Sequence, residues 1–87
     1  MFSAEYEKQP LAFLKKLRNK VDVRRIIERI EKLLQQHFPS DAKRVEGFSD
    51  AKVFRVRVGD YRILYIVDFT QSKIFIIKID RREKVYD

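Results

Sequence analysis

The spacing of hydrophobic residues changes along the first half of the chain. Residues 2–6 alternate between hydrophobic and polar side chains, which predicts a short β-strand. Pro10 suits the first turn of a helix, and leucines at every third position over residues 11–17 predict a short amphipathic helix that ends near Asn19. The chain is therefore expected to open with one strand and one brief helix.

A second and longer helix is predicted from the aliphatic residues of positions 23–34, which recur at helical spacing. Asp22 is placed to cap its first turn, and Pro39 marks its end. Residues 39–52 show no clear period, so we expect a loop there with room for one helical turn.

Three strands are predicted in the second half of the chain. Residues 53–58 alternate, and residues 61–68 and 73–79 are rich in β-branched and aromatic side chains. Gly59 and Asp60 form a two-residue turn between the first two of these strands. The pattern predicts an α+β fold of order β-α-α-β-β-β. One N-terminal strand and a three-strand meander would form a small antiparallel sheet, with two helices packed on one face.

The turn at Gly59 fixes the register of the predicted hairpin and brings arginines together. It puts Arg57 opposite Arg62, and Arg55 opposite Leu64, on the face that the helices do not cover. We call this the arginine face, defined by Arg55, Arg57 and Arg62. Because like charges on opposed strand positions repel, folding alone gives no reason for the arrangement, whereas an anionic ligand would supply one. The alternative is a polar outer face whose arginines are neutralised by carboxylates from elsewhere. The absence of an acidic residue on that face of the hairpin favours the ligand.

Apolar residues are expected beside the arginines on the same face. Leu64 and Ile66 follow Arg62 at every second position, so they lie on the arginine face as well. Ile74 and Ile76 join them if the second hairpin has an odd-length loop that keeps Phe75 on the core side. Without a cover from the same chain, such a strip is typical of a surface that binds a protein partner.

Composition and charge limit the classes of function. The 87 residues are expected to form one domain, residues 1–87, because two pieces would each be too short for a core. The net charge of +7 favours polyanionic partners, nucleic acid first among them. The chain has no cysteine, and its longest apolar run, residues 63–67, is far shorter than the ~20 residues of a membrane span. We therefore expect a cytoplasmic protein without membrane contact.

The sequence offers no residue set for metal or nucleotide chemistry. His37 is the only histidine, and a lone histidine at the end of a predicted helix cannot form a metal site. Glu46 and Asp60 are the carboxylates nearest to the arginines along the chain, and both suit structural or turn roles. With two glycines in all, the chain has no glycine-rich phosphate loop. We expect neither a metal nor a cofactor.

Three segments of the sequence resemble the RelE/ParE toxin superfamily, and the RelE branch in particular. They are FRVRVGDYRILY at residues 54–65, IDRREKVY at residues 79–86 and FLKKL at residues 13–17. The resemblance covers nearly the whole chain in the same order of elements. It implies a toxin of a type II toxin-antitoxin system, an mRNA interferase that cuts message in the ribosomal A site. It also implies a separately encoded RelB-like antitoxin.

The resemblance further implies roles for particular residues. Arg57, Arg62 and Arg82 would hold the scissile phosphate while the ribose 2′-OH attacks it without a metal ion, which gives a 2′,3′-cyclic phosphate. Tyr86 would be the base toward the 2′-OH. Several relatives have a histidine near the position of Arg81, and an arginine cannot replace it as general acid, so the donor to the leaving 5′ oxygen is not identified. The expected site comprises Arg57, Arg62, Arg82 and Tyr86 for catalysis, Arg55, Lys78 and Arg81 for RNA binding, and Leu64 and Ile66 for antitoxin binding.

Two other functions fit the charge equally well. A ParE-type toxin shares the fold but poisons DNA gyrase and cuts no RNA, and a non-enzymatic module would only bind nucleic acid through the arginine face. A set of five residues favours the nuclease, because a gyrase poison would not need them together. The five are Arg55, Arg57, Arg62, Arg82 and Tyr86.

Overall fold

A computed structural model describes residues 1–81, and in this range it contains two helices and a five-stranded sheet. The elements are β1 (Ser3–Tyr6), α1 (Lys8–Lys16), α2 (Lys20–Leu33), β2 (Lys43–Val45), β3 (Val53–Val58), β4 (Tyr61–Asp68) and β5 (Lys73–Arg81). The strand order across the sheet is β1-β5-β4-β3-β2. The predicted α+β fold is confirmed. Neither helix of the described residues is long and apolar enough to cross a bilayer.

The sheet differs from the prediction at both of its edges. At one edge β1 runs parallel to β5, so the sheet is mixed rather than wholly antiparallel. At the other edge β2 pairs with residues 53–55 of β3. The residues that form β2 belong to the segment 39–52, for which the sequence predicted a loop. A strand of only three residues, two of them charged, shows no readable alternation and is held by its pairing with β3 rather than by its own propensity.

The hydrophobic core lies between the two helices and one face of the sheet. The side chains expected on the core side of β3 and β4 are there, which confirms the predicted alternation of that hairpin. The fully buried core residues are Ile26, Ile30 and Leu33 of α2, Val56 of β3, Ile63 and Tyr65 of β4, and Ile74, Ile76 and Ile79 of β5.

A β-bulge changes the register between β4 and β5. Leu64 pairs with Lys78, but the next residue of β4, Tyr65, pairs with Ile76, so that Ile77 is the additional residue of the bulge. A bulge reverses which residues of a strand face the core, and nothing in the local sequence marks its position.

The loop between β4 and β5 overturns the expectation for the first part of β5. Asp68 pairs with Lys73, so the loop has four residues, an even number, whereas the expectation required an odd-length loop. Ile74 and Ile76 are completely buried in the core rather than exposed on the arginine face. Phe75 instead pairs with Ile66, on the side of the sheet away from the helices.

Helix α2 begins earlier than the sequence predicted. Asn19, not Asp22, is the N-cap, and its side chain accepts hydrogen bonds from the backbone N–H groups of Val21 (3.0 Å) and Asp22 (3.1 Å). Asp22 lies inside the first turn, where its carboxylate accepts a hydrogen bond of 2.8 Å from the Tyr61 hydroxyl. Helix α2 is therefore longer at its start than predicted, by most of a turn, and α1 ends at Lys16 rather than near Asn19.

A side-chain amide completes the edge of β5 beyond the end of β1. Strand β1 ends at Tyr6, paired with Ile76, while β5 continues to Arg81. Gln9 of α1 donates from Nε2 to the carbonyl of Ile79 (2.8 Å), and its Oε1 accepts from the N–H of Ile79 (2.9 Å). The amide thus makes the two bonds that a further strand residue would make, and it fixes the end of β5 against α1.

Candidate anion-binding site

The register of the β3–β4 hairpin is the one predicted from its two-residue turn. Arg57 pairs with Arg62 and Arg55 pairs with Leu64, so the three arginines of the arginine face do share one side of the sheet. Gly59 has φ of +55°, a backbone conformation that other residues rarely adopt, and this allows the tight turn. The turn and the alternation together place the guanidinium groups.

Two of these arginines are buried although they lie on the face opposite the helices. Arg55 retains 6% of its surface and Arg62 retains 8%. Burial lowers the pKa of Arg62 below its usual value, the nearby Asp80 acts in the opposite direction, and the positive charge of Arg55 lowers it further. Arginine titrates so high that Arg62 still stays charged at neutral pH. The site is therefore a concentrated positive charge in a partly desolvated place.

An acidic residue from β5 reaches the arginine face, although the hairpin itself supplies none. Asp80 is the cross-strand partner of Arg62, and its Oδ1 lies 3.7 Å from Arg62 Nε. Its Oδ2 lies 3.7 Å from Lys78 Nζ. The alternative interpretation, in which a carboxylate from another part of the chain neutralises the arginines, thus holds for Arg62. The signal was available in the sequence, because Asp80 directly follows the core-facing Ile79.

The structure separates the other two basic residues predicted for RNA binding. Lys78 lies on the arginine face as the partner of Leu64, with about half of its side chain exposed. Arg81 does not join it: its guanidinium carbon lies 5.2 Å from the centre of the Tyr61 ring, a core residue on the helix side of the sheet. Because side chains alternate along β5, Arg81 lies on the other side of the sheet from Asp80.

The predicted antitoxin contacts divide in the same way. Ile66 is partly exposed, but Leu64 retains only 2% of its surface and cannot be part of an exposed strip. Its two cross-strand neighbours are Arg55 and Lys78, whose long aliphatic stems flank it on either side. The expectation of an uncovered Leu64 was wrong.

The tyrosines of the described residues have structural roles. Burial raises the pKa of Tyr65 to about 12, and its hydroxyl donates to the carbonyl of His37 at 2.8 Å. Burial and the hydrogen bond to Asp22 raise the pKa of Tyr61, and burial, aided by the charge of Glu31, raises that of Tyr6. A phenol with a raised pKa is a poor base at neutral pH.

Two predicted catalytic residues cannot be placed. Arg82 and Tyr86 lie outside the described residues. Within residues 1–81 there is no group of three or more His, Cys, Asp or Glu residues that could hold a metal ion.

The sequence matches the family described as the ParE toxin of type II toxin-antitoxin systems, parDE, over residues 4–86. The chain belongs to this family, and within it to the RelE branch. It is 36% identical over 88 residues to the putative toxin RelE1 of Methanocaldococcus jannaschii, covering 98% of this chain and 94% of that protein.

Solved structures agree with this assignment. A chain of the archaeal RelE-RelB complex from Pyrococcus horikoshii OT3 has a TM-score of 0.80 and 30% identity, covering 97% of this chain and 98% of that chain. A chain of the toxin-antitoxin complex RelBE2 of Mycobacterium tuberculosis has a TM-score of 0.75 over 92% of this chain and 96% of that one. At 21% identity, the second likeness concerns the fold alone.

Proposed function

We propose that this RelE-type toxin is a ribosome-dependent mRNA endonuclease that cuts message in the A site and so inhibits translation. The observation that carries the proposal is the convergence of Arg55, Arg57 and Arg62 on one face of the sheet, two of them buried. Like charges are brought together there at a cost to the free protein, and a bound phosphate would offset that cost.

The proposed reaction needs charge stabilisation rather than a metal ion. The ribose 2′-OH attacks the adjacent phosphate, the 5′ oxygen of the next nucleotide leaves, and the product ends in a 2′,3′-cyclic phosphate. Arg57 and Arg62, with Arg82, would bind the phosphoryl oxygens as negative charge accumulates on them. The guanidinium fork suits this role because it donates two parallel hydrogen bonds and keeps its proton.

Tyr86 is our candidate for the base that removes the 2′ proton. The other three tyrosines of the chain have raised pKa values, two of them with their hydroxyls engaged, which leaves Tyr86 as the one still available. The pKa of a phenol, near 10, must fall by about 3 units before the group can act fully as a base at pH 7, which corresponds to roughly 4 kcal/mol. Neighbouring guanidinium groups would supply part of this. We assign protonation of the 5′ oxygen to water or to a ribosomal group, since arginine holds its proton.

The partner that restrains this activity would be a short acidic RelB-like antitoxin made by the same cell, and we place the pair in the cytoplasm. The structural relatives are themselves RelE-RelB complexes, which supports such a partner. Charge complementarity to a protein of net charge +7 favours an acidic chain over the arginine face, with Ile66 as an apolar contact at its side.

The experiment is to map 5′ ends on programmed ribosomes stalled with a defined codon in the A site. We expect cleavage of ribosome-bound message and little cleavage of the same RNA without ribosomes, because positioning by the ribosome compensates for a weak set of acid and base groups. Uncut message with the wild-type protein would refute the nuclease.

The second candidate is a gyrase poison, which the family description as a ParE toxin favours. Inhibition of gyrase supercoiling by the purified protein, together with intact message on the ribosome, would support it. RNA binding with neither activity would instead support a non-enzymatic module.

A further inference from the structure

Asp80 is the acidic residue that the sheet brings into the cluster of cations on the arginine face. Its carboxylate lies between Arg62 and Lys78, with one oxygen 3.7 Å from Arg62 Nε and the other 3.7 Å from Lys78 Nζ. The side chains of Arg62 and Asp80 keep only 10% and 16% of their surface exposed. Their charges therefore interact where water screens them weakly.

The contacts of this carboxylate are electrostatic and not directed hydrogen bonds. A separation of 3.7 Å is beyond the reach of an N–H···O hydrogen bond. Asp80 Oδ1 is buried, and it accepts no hydrogen bond from the described part of the chain. A buried carboxylate oxygen without such a bond is poorly stabilised. The sheet places Asp80 beside Arg62, and its carboxylate interacts with the guanidinium through charge and not through a hydrogen bond.

A phosphate would bind Arg62 better than Asp80 does. Phosphate oxygens can accept two parallel charge-assisted hydrogen bonds from one guanidinium, and an RNA backbone can approach without being fixed to β5. We propose that Asp80 is an internal counter-anion of the arginine face. It offsets the repulsion among the arginines of the free toxin, and an RNA phosphate displaces it from Arg62 on binding.

This inference rests on the proposed function only in taking RNA as the ligand. It assigns Asp80 a positioning role that acts through Arg62, with opposite effects on two properties. The carboxylate stabilises the free protein, and its negative charge weakens the binding of RNA. A residue with a merely structural role would weaken binding, or leave it unchanged, when it is replaced.

The test measures the affinity of Asp80→Asn for a short single-stranded RNA whose 2′ positions are methylated, so that it cannot be cut. We expect the variant to bind on the order of tenfold more tightly than the wild type at low salt, because one like charge a few ångströms from the phosphate is gone. We also expect a steeper salt dependence and a lower melting temperature.

Glu5→Gln is the matched control for the change in net charge. Glu5 lies on β1, on the same side of the sheet, where it pairs with Lys73 at 3.4 Å and does not contact Arg62. It should raise RNA affinity by less than about twofold, since distant exposed charges are screened. Equal gains in Asp80→Asn and Glu5→Gln would overturn the proposal.

A double-mutant cycle tests whether Asp80 acts through Arg62. In an Arg62→Gln background the Asp80→Asn gain should become much smaller, and a gain of undiminished size there would contradict the inference. Wild-type protein gives an independent measurement if the variant does not fold. On titration with the same RNA, the carboxyl carbon resonance of Asp80 and the Nε–H resonance of Arg62 should move together and saturate. An unmoved Asp80 resonance at saturation would refute displacement.

Because the RNA cannot be cut, these outcomes are independent of whether the toxin is a nuclease. Loss of the proposed function would appear as uncut message on the ribosome, with the Asp80 result unchanged.

Discussion

Arg62 is the described side chain on which the proposed chemistry depends most. It is buried on the arginine face, pairs across the hairpin with Arg57 and across the next ladder with Asp80, and has a lowered pKa that still leaves it charged. A planar fork at this place can hold two phosphoryl oxygens at once, whereas an ammonium group offers a single point of charge.

Arg62→Lys should therefore reduce the rate of ribosome-dependent cleavage by at least about tenfold, which corresponds to about 1.4 kcal/mol of lost transition-state stabilisation. The rate constant under single-turnover conditions is the measurement. Arg18→Lys makes the same chemical change at an exposed position between α1 and α2 and should leave the rate unaltered. A fully active Arg62→Lys variant would remove Arg62 from the proposed site.

Tyr65 shows how a buried phenol makes stability depend on pH. Its pKa of about 12 lies above the value near 10 of an unfolded chain, so the neutral phenol is favoured in the folded state. The resulting stability is fully present below pH 10 and is lost as the pH rises toward 12.

Tyr65→Phe should cost about 1 kcal/mol at pH 7, because the hydrogen bond to the carbonyl of His37 is lost. Between pH 10 and 12 the wild type should lose on the order of 2 kcal/mol that the variant does not lose, so the two stability curves should cross and the variant should be the more stable protein near pH 12. Denaturant unfolding at a series of pH values checks this. Parallel curves would show that Tyr65 does not titrate as described.

At the scale of elements, the end of β5 depends on helix α1. Gln9 makes both backbone bonds to Ile79, which directly precedes Asp80. A helix residue therefore holds the strand that carries Asp80 to the arginine face. The remaining edge of β5 is paired with β1.

Gln9→Ala should destabilise the fold by about 1–2 kcal/mol, since two part-buried backbone groups lose their partners. Gln9→Glu is the matched variant: its carboxylate can accept from the N–H of Ile79 but cannot donate to the carbonyl, so an intermediate loss is expected. Thermal unfolding and amide exchange at Ile79 are the measurements. Unchanged exchange in Gln9→Ala would contradict this role.

On the scale of the whole molecule, the core and the proposed chemistry lie on different sides of one sheet. The helices cover the face with Tyr65 and Ile76, and the arginines occupy the other. Substitutions on the arginine face can therefore change function without removing core contacts. The sharpest test of the proposed nuclease comes from Arg82 and Tyr86, the two catalytic residues that the resemblance predicts near the C-terminal end.

Arg82→Ala and Tyr86→Phe should each abolish toxicity and ribosomal cleavage while the melting temperature and the affinity for antitoxin stay close to wild type. Growth after induction, 5′-end mapping and calorimetry measure these three properties. Loss of folding in both variants would mean that these residues are structural, and would leave the proposed chemistry without its base.

The element order and the hairpin register could be predicted because local rules determine them. Alternation in β3 and β4 and a two-residue turn at Gly59 suffice to put Arg57 opposite Arg62. Strand β2 could not be predicted, because three residues carry too little periodicity and depend on β3 for their pairing.

The sequence by itself determined the fold class, the positive charge and the meeting of three arginines on one side of a hairpin. Tertiary structure decided that Asp68 pairs with Lys73, which turns Ile74 and Ile76 into the core, that a bulge at Ile77 keeps Ile79 there, and that Leu64 is buried beside long basic side chains. It also decided that Asp80 lies beside Arg62. The physical reason is range: alternation and turns act between neighbours along the chain, whereas bulge position, burial and ion pairing depend on residues that meet only when separate strands and helices pack together.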